Sequence, residues 1–210
     1  MMSAKEIFTR IALFIASIII SVIIYETIVK WGVSHFILIK MTDIRGKIIM
    51  EFFRVGSVVL IYALILLGLG MKITKPFSVI LWIAYLGTVF LLLFARKMQY
   101  TEVNLDPFKI LHELHGMRNK IYFVGNIVFF IPFGYLFRKL NFFIMIFVSL
   151  CMEFTIEVGQ HITRRGVCDI CDVMVNMTGI LIGYIAYHII KFMMKKKKRE
   201  ERVGRRRHEV

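Results

Sequence analysis

Apolar residues fall along this chain in blocks rather than in alternation. Residues 11–24, 55–69 and 142–152 carry no charged side chain at all. Strict alternation would mark half-buried strands, whereas unbroken runs of this length mark helices with no aqueous face. A bilayer core of about 30 Å is crossed by roughly 20 helical residues. Six segments approach that length: residues 8–29, 53–70, 77–95, 121–137, 140–160 and 173–194. Lipid offers the backbone no hydrogen bonds, so long spanning segments must be helical. The expected fold is therefore all-α, a polytopic membrane helical bundle of about six transmembrane helices. Pro132 lies inside the fourth segment and should kink it.

The same pattern divides the chain. Residues 1–100 hold about three spans, and residues 101–190 hold three more with a concentration of polar groups. Residues 191–210 form a basic tail too charged to bury, for which disorder is the expectation.

Composition agrees with a membrane protein. Of 210 residues, 58% are hydrophobic, and the mean hydropathy is +0.71. Soluble domains are about 45–50% apolar. A soluble chain of this size has too much surface for its volume to hide the excess.

The formal net charge is +14, and much of it sits in the tail KKKKREERVGRRRHEV. Basic residues just after an apolar run act as a topology signal and attract anionic lipids. Nucleic acid is not expected as a partner, because no aromatic residues interleave with the charges to stack on bases. A cytoplasmic tail and an even number of spans put both termini in the cytoplasm, where Lys5 and Arg10 agree. Residues 31–52, 96–120 and 161–172 then face outward. The first apolar run resembles a signal peptide, but it is too long and lacks a small-residue cleavage site, so it reads as an uncleaved span.

The polar residues inside the spans carry the chemistry. Glu153 and Glu157 lie four apart on the fifth span and share a helix face, which Gln160 and Arg164 roughly continue. An ionised group at mid-membrane costs about 2.5–3.5 kcal/mol on the insertion scale, and each large apolar residue returns only about 0.3–0.6. The two carboxyls need relief from a partner, a proton or water, and Arg164 or Arg165 is the expected partner. The competing reading is an ion pair that only holds helices together. Next along the chain, Asp169, Asp172 and Asn176 would form one stripe on a helix starting near Asp169. Acidic groups in a first turn suit the helix dipole, which accounts for Asp169 but not for Asn176 inside the membrane. Gly179 and Gly183 make a G-x-x-x-G, a pattern for close helix approach. In the fourth span Asn126 needs a partner in oil. Before it, Asn104 and Asp106 precede Pro107 in an extended or turn segment.

Cys168 and Cys171 form a C-x-x-C, with His161, His112 and His115 as the only other candidates for a metal site. A zinc site wants a second ligand pair at proper spacing, so neither a metal nor another cofactor is expected. There is no G-x-S-x-G, P-loop or G-x-G-x-x-G.

Taken in order, NLDPF, GNIVFFIPFG, E-x-x-x-E-x-x-Q and RGVCDICDVMVNMTGILIG resemble the VanZ-like family. The resemblance covers roughly residues 104–187. Its positions here are Asn104, Pro107, Phe108, Asn126, Pro132, Gly134, Glu153, Glu157, Gln160, Arg165, Asp169, Asp172, Asn176 and Gly179. Cys168 stands where the family carries an aromatic residue, and Cys171 where it carries an acid. The resemblance implies a membrane factor of Gram-positive bacteria that protects against teicoplanin-type lipoglycopeptides. Its expected partners are membrane lipids and a lipoglycopeptide or lipid-linked cell-wall precursor. Two other classes fit the residues: an enzyme on a lipid or polyprenyl phosphate, with the carboxyls as acid and base and Arg165 on phosphate, and a proton-coupled transporter relaying through Glu153 and Glu157. No two related halves are visible, which weighs against the transporter.

Overall fold

The computed structural model describes residues 3–32, 44–95, 103–109, 116–166 and 168–208. The chain forms two compact units, Met1–Gln99 and Tyr100–Val210.

In the first unit, helix α1 spans Ala4–Ile24 and opens on Ser3, whose hydroxyl accepts from the Glu6 N–H at 3.2 Å. The helix passes through a π turn, Tyr25–Val29, and continues to Gly32. Helix α2, Ile44–Gly68, packs on α1, and α3, Lys75–Phe94, packs on α2. Ser17 and Ser21 are fully buried on α1. Each returns its hydroxyl to its own helix, Ser17 to Phe14 O at 2.6 Å and Ser21 to Ile18 O at 2.9 Å. Small residues let neighbouring helices approach, and the internal bonds leave no orphan hydroxyl. Tyr25, Met50 and Phe53 form the core of this unit, and the Tyr25 hydroxyl donates to Met50 O at 3.1 Å. Outward, α1 exposes Ile11, Ile15, Ile19 and Ile23. A contiguous apolar surface of this kind is a lipid or partner surface.

The second unit holds α4 (Met117–Leu136), α5 (Phe142–Ile162) and α6 (Ile170–His208). A two-residue strand β1, Val103–Asn104, runs parallel to β2, Cys168–Asp169. Asn141 starts α5 by accepting the Ile144 N–H at 2.8 Å. The closest packing joins α4 to α6. A Cβ on Gly134 would run into Ile180 O, one on Gly179 into Ile127 O, and one on Gly183 into Ile131 O. Three glycines on two helices therefore set backbone against backbone, as the G-x-x-x-G pattern leads one to expect. Phe130 and Phe133 stack in this unit with ring centroids 5.4 Å apart.

Among the described residues, five helices are long and apolar enough to cross a membrane: Ala4–Gly32, Ile44–Gly68, Lys75–Phe94, Phe142–Ile162 and Ile170–Lys196. The fold is nearly all-α, and the chain is a membrane protein. The fourth expected span forms as α4, but it does not join these five. Asn119, Lys120 and Asn126 dilute its apolar content, which is why it is helical yet less oily than its neighbours. Pro132 sits inside α4 without ending it. Disorder is the expectation beyond Lys195, yet α6 continues to His208. Lys, Arg and Glu are good helix formers, so a helix already nucleated by apolar packing propagates through them.

Candidate functional site

Polar groups gather at one end of the second unit, where α4 and α6 begin and α5 ends. Asp169 lies at the centre. Its Oδ1 accepts the Cys171 N–H at 2.8 Å, which caps the first turn of α6. The same oxygen accepts the Asn104 amide at 2.8 Å. Its own N–H donates to Glu157 Oε2 at 2.9 Å. One residue thus ties the VNLDPF segment, the end of α5 and the start of α6 together.

The VNLDPF segment is organised for this contact. Asn104 Oδ1 accepts the Asp106 N–H at 3.2 Å, and Asp106 Oδ1 accepts the Phe108 N–H at 2.9 Å. Such turns are what Asn and Asp ahead of Pro107 favour. The Cys171 thiol reaches Asp106 O at 3.1 Å. Pro107 belongs to this turn, and Phe108 is exposed.

Deeper along α5, Glu153, Glu157 and Gln160 are 0%, 2% and 4% exposed, and Asn176 on α6 is 2% exposed. Asn176 Nδ2 donates to Glu153 Oε2 at 2.8 Å. Gln160 Oε1 lies against Gly166, where even a Cβ would come within 3.2 Å of it. Asp172 lies one helical turn before Asn176 on α6. Among the described residues, the hydrogen bonds to the two glutamates come from an amide and a backbone N–H, where charge led one to expect Arg164 or Arg165. Arg164 is exposed with φ 54°, a turn conformation after α5. Arg165 is half-buried, and its N–H donates to Gln160 O at 2.8 Å. Its guanidinium is not among the groups lining the pocket at this end.

That pocket has a volume of about 120 Å³ and is lined by Lys109, Asn119, Tyr122, Phe123, Asn126, Asp169, Cys171 and Asp172. It joins the turn after Pro107, one face of α4 and the first turn of α6. Asn126, Asp169 and Asp172 line it together. Glu153, Glu157, Gln160 and Asn176 lie behind it, at the α5–α6 contact. Lys109, Asn119, Tyr122 and Phe123 were not anticipated. The signal for three of them was present: Asn119 and Asn126 are seven apart, so they share a helix face, with Tyr122 and Phe123 between them at helical spacing. Lys109 had no such signal. Gly134, Gly179 and Gly183 are in helix packing and not in this pocket lining, and Pro132, inside α4, is not in the lining either.

Cys168 pairs in β2 with Val103, and burial, with Glu157 and Asp169 nearby, pushes its thiol up from the ordinary range. Among the described residues, no three His, Cys, Asp or Glu side chains gather as metal ligands. His112 and His115 lie outside the described residues. The residues that line the pocket are two aspartates, a lysine, two asparagines, a cysteine, a tyrosine and a phenylalanine. The pocket suits a small polar group carrying charge.

The comparisons with known proteins fall on this same unit and reach beyond it. The VanZ/LLP1 family model matches residues 59–191. Protein VanZ of Enterococcus faecium is 27% identical over 123 residues, covering 57% of this chain and 73% of that protein. No solved structure matches. With more than half of its length matched by the family model, the chain belongs to the VanZ/LLP1 family.

Proposed function

We propose that this protein is a membrane factor that protects the cell envelope from teicoplanin-type lipoglycopeptides. In this reading the pocket at the α4–α6 end engages the polar part of a lipid-anchored molecule, either the drug or a lipid-linked cell-wall precursor. The observation that carries it is the pocket itself. Lys109, Asp169, Asp172, Asn119 and Asn126 converge on a cavity of about 120 Å³ in a chain otherwise dominated by apolar helices. Pockets with few convergent polar groups are where ligands bind, and ionisable groups within membrane helices mark function rather than architecture.

With α4 counted as a sixth span, the reading sets both termini in the cytoplasm and this pocket at the outer leaflet, where an acyl-anchored drug meets its target. The basic end of α6 then rests against anionic lipid on the inner side. The similarity to Protein VanZ supports the reading. Expression in a susceptible host tests it: minimum inhibitory concentration should rise for teicoplanin and not for a glycopeptide lacking the acyl chain. An unchanged value for teicoplanin removes the proposal.

A second reading rests on Lys109 among the residues that line the pocket, since a lysine ammonium can meet phosphate. The protein would then act on a lipid or polyprenyl phosphate, with Glu153 or Glu157 as acid or base. Lipid profiles that change on expression, and revert with Glu157→Gln, select it.

A further inference from the structure

Glu153 on α5 and Asn176 on α6 meet where the two helices pack, and both are more than nine-tenths buried. Asn176 Nδ2 donates to Glu153 Oε2 at 2.8 Å. That bond uses one oxygen of the carboxyl and one hydrogen of the amide. The other oxygen of each group, Glu153 Oε1 and Asn176 Oδ1, is buried without a protein partner. Both are acceptors, and turning the amide over does not help. It would face a carbonyl to a carboxyl oxygen and leave the same deficit of donors. The two groups together lack one hydrogen.

Among the described residues, no cation pairs with Glu153, and Asn176 is its only hydrogen-bond partner. The ionisable neighbours one turn away on the two helices are acidic: Asp172 precedes Asn176 on α6, and Glu157 follows Glu153 on α5. An acceptor left bare in a low-dielectric interior is costly, and two on one contact are more so.

We propose that Glu153 and Asn176 form a one-proton site. With the proton on Glu153 Oε1, the carboxyl O–H donates to Asn176 Oδ1 while the amide N–H donates to Oε2. The result is a closed, two-point pairing of a carboxylic acid with an amide. The proton comes from water through the polar end of the unit, and no other bond breaks or forms. Releasing it leaves a bare carboxylate between α5 and α6, one turn below the Asp172 wall of the pocket. The α5–α6 contact is therefore coupled to a single proton.

Glutamine is the uncharged isostere of the protonated acid. In Glu153→Gln the amide N–H replaces the acid O–H and the carbonyl still accepts from Asn176. The purified chain in lipid nanodiscs should melt at the wild-type temperature with Glu153→Gln and well below it with Glu153→Ala. Infrared spectroscopy of the wild type at neutral pH should show a protonated-carboxyl band that Glu153→Gln removes. A Glu153→Gln variant that melts as low as Glu153→Ala, or fails to fold, overturns the proposal. So does an infrared band left unchanged by the substitution, which is what a carboxylate held by a bridging water would give.

Discussion

The side-chain amide of Asn104 reaches the carboxylate of Asp169 at 2.8 Å, across a separation of 65 positions in the chain. This bond lies beside the parallel pairing of Asn104 with Asp169 in β1 and β2. Together they fix the segment ahead of α4 onto the start of α6, and so close one side of the pocket. Because the same carboxylate caps α6, the pocket wall and the helix start depend on one residue.

Asp169→Ala should lose both roles. A missing N-cap costs about 1 kcal/mol, and a lost hydrogen bond costs roughly another 1 kcal/mol. Asp169→Asn keeps an oxygen able to accept both N–H groups. Thermal melting in detergent should therefore rank wild type near Asp169→Asn, with Asp169→Ala lower by several degrees. Equal melting for all three would show that the bonds do not hold the segment.

The glycine contacts give a second expectation. Gly183→Ala and Gly179→Ala each drive a methyl group into a carbonyl of α4. Overpacking of this kind costs about 1–3 kcal/mol. Gly68→Ala, at the end of α2, meets nothing within 4 Å and serves as the control. Reduced melting temperature for the first two and not the third is the predicted pattern. Tolerance of Gly183→Ala would mean that α4 and α6 are not in backbone contact.

Cys168 offers a pH test. Burial, then the carboxylates of Glu157 and Asp169, favour its protonated thiol over the thiolate. Maleimide reacts with the thiolate. Labelling at Cys168 should therefore begin at higher pH than for cysteine free in solution. Glu157→Gln removes one negative neighbour, which lowers the thiol's affinity for its proton, so labelling at a given pH should become faster. Peptide-resolved mass spectrometry separates this site from Cys151 and Cys171. Labelling that tracks free cysteine, or that slows with Glu157→Gln, contradicts the placement of the thiol beside these carboxylates.

Much of the architecture was legible in the chain because lipid imposes a simple rule. Long uncharged runs such as 142–152 can only be helix, and α5 falls within two residues of the segment expected for it. The glycines of α6 announced close packing because no other residue lets backbones touch. Asp169, Asp172 and Asn176 could be put on one helix stripe from their spacing alone. The carboxylates' partners could not be read in that way. Charge favoured arginine for Glu153 and Glu157, but a backbone N–H freed at the start of α6 and an amide on the facing helix supply the bonds instead. Such donors leave no mark in a sequence, since every residue has an N–H. Lys109 was equally hidden, because its place in the pocket depends on the turn that Asp106 and Pro107 make.

Teicoplanin susceptibility of a host carrying Asp172→Asn or Glu157→Ala, at membrane abundance matched to wild type, probes the polar end of the second unit most directly. On the proposed function, expression of the wild-type chain should raise the inhibitory concentration, both variants should fail to raise it, and Gly68→Ala should raise it as the wild type does. Full protection from both variants would contradict a role for this pocket.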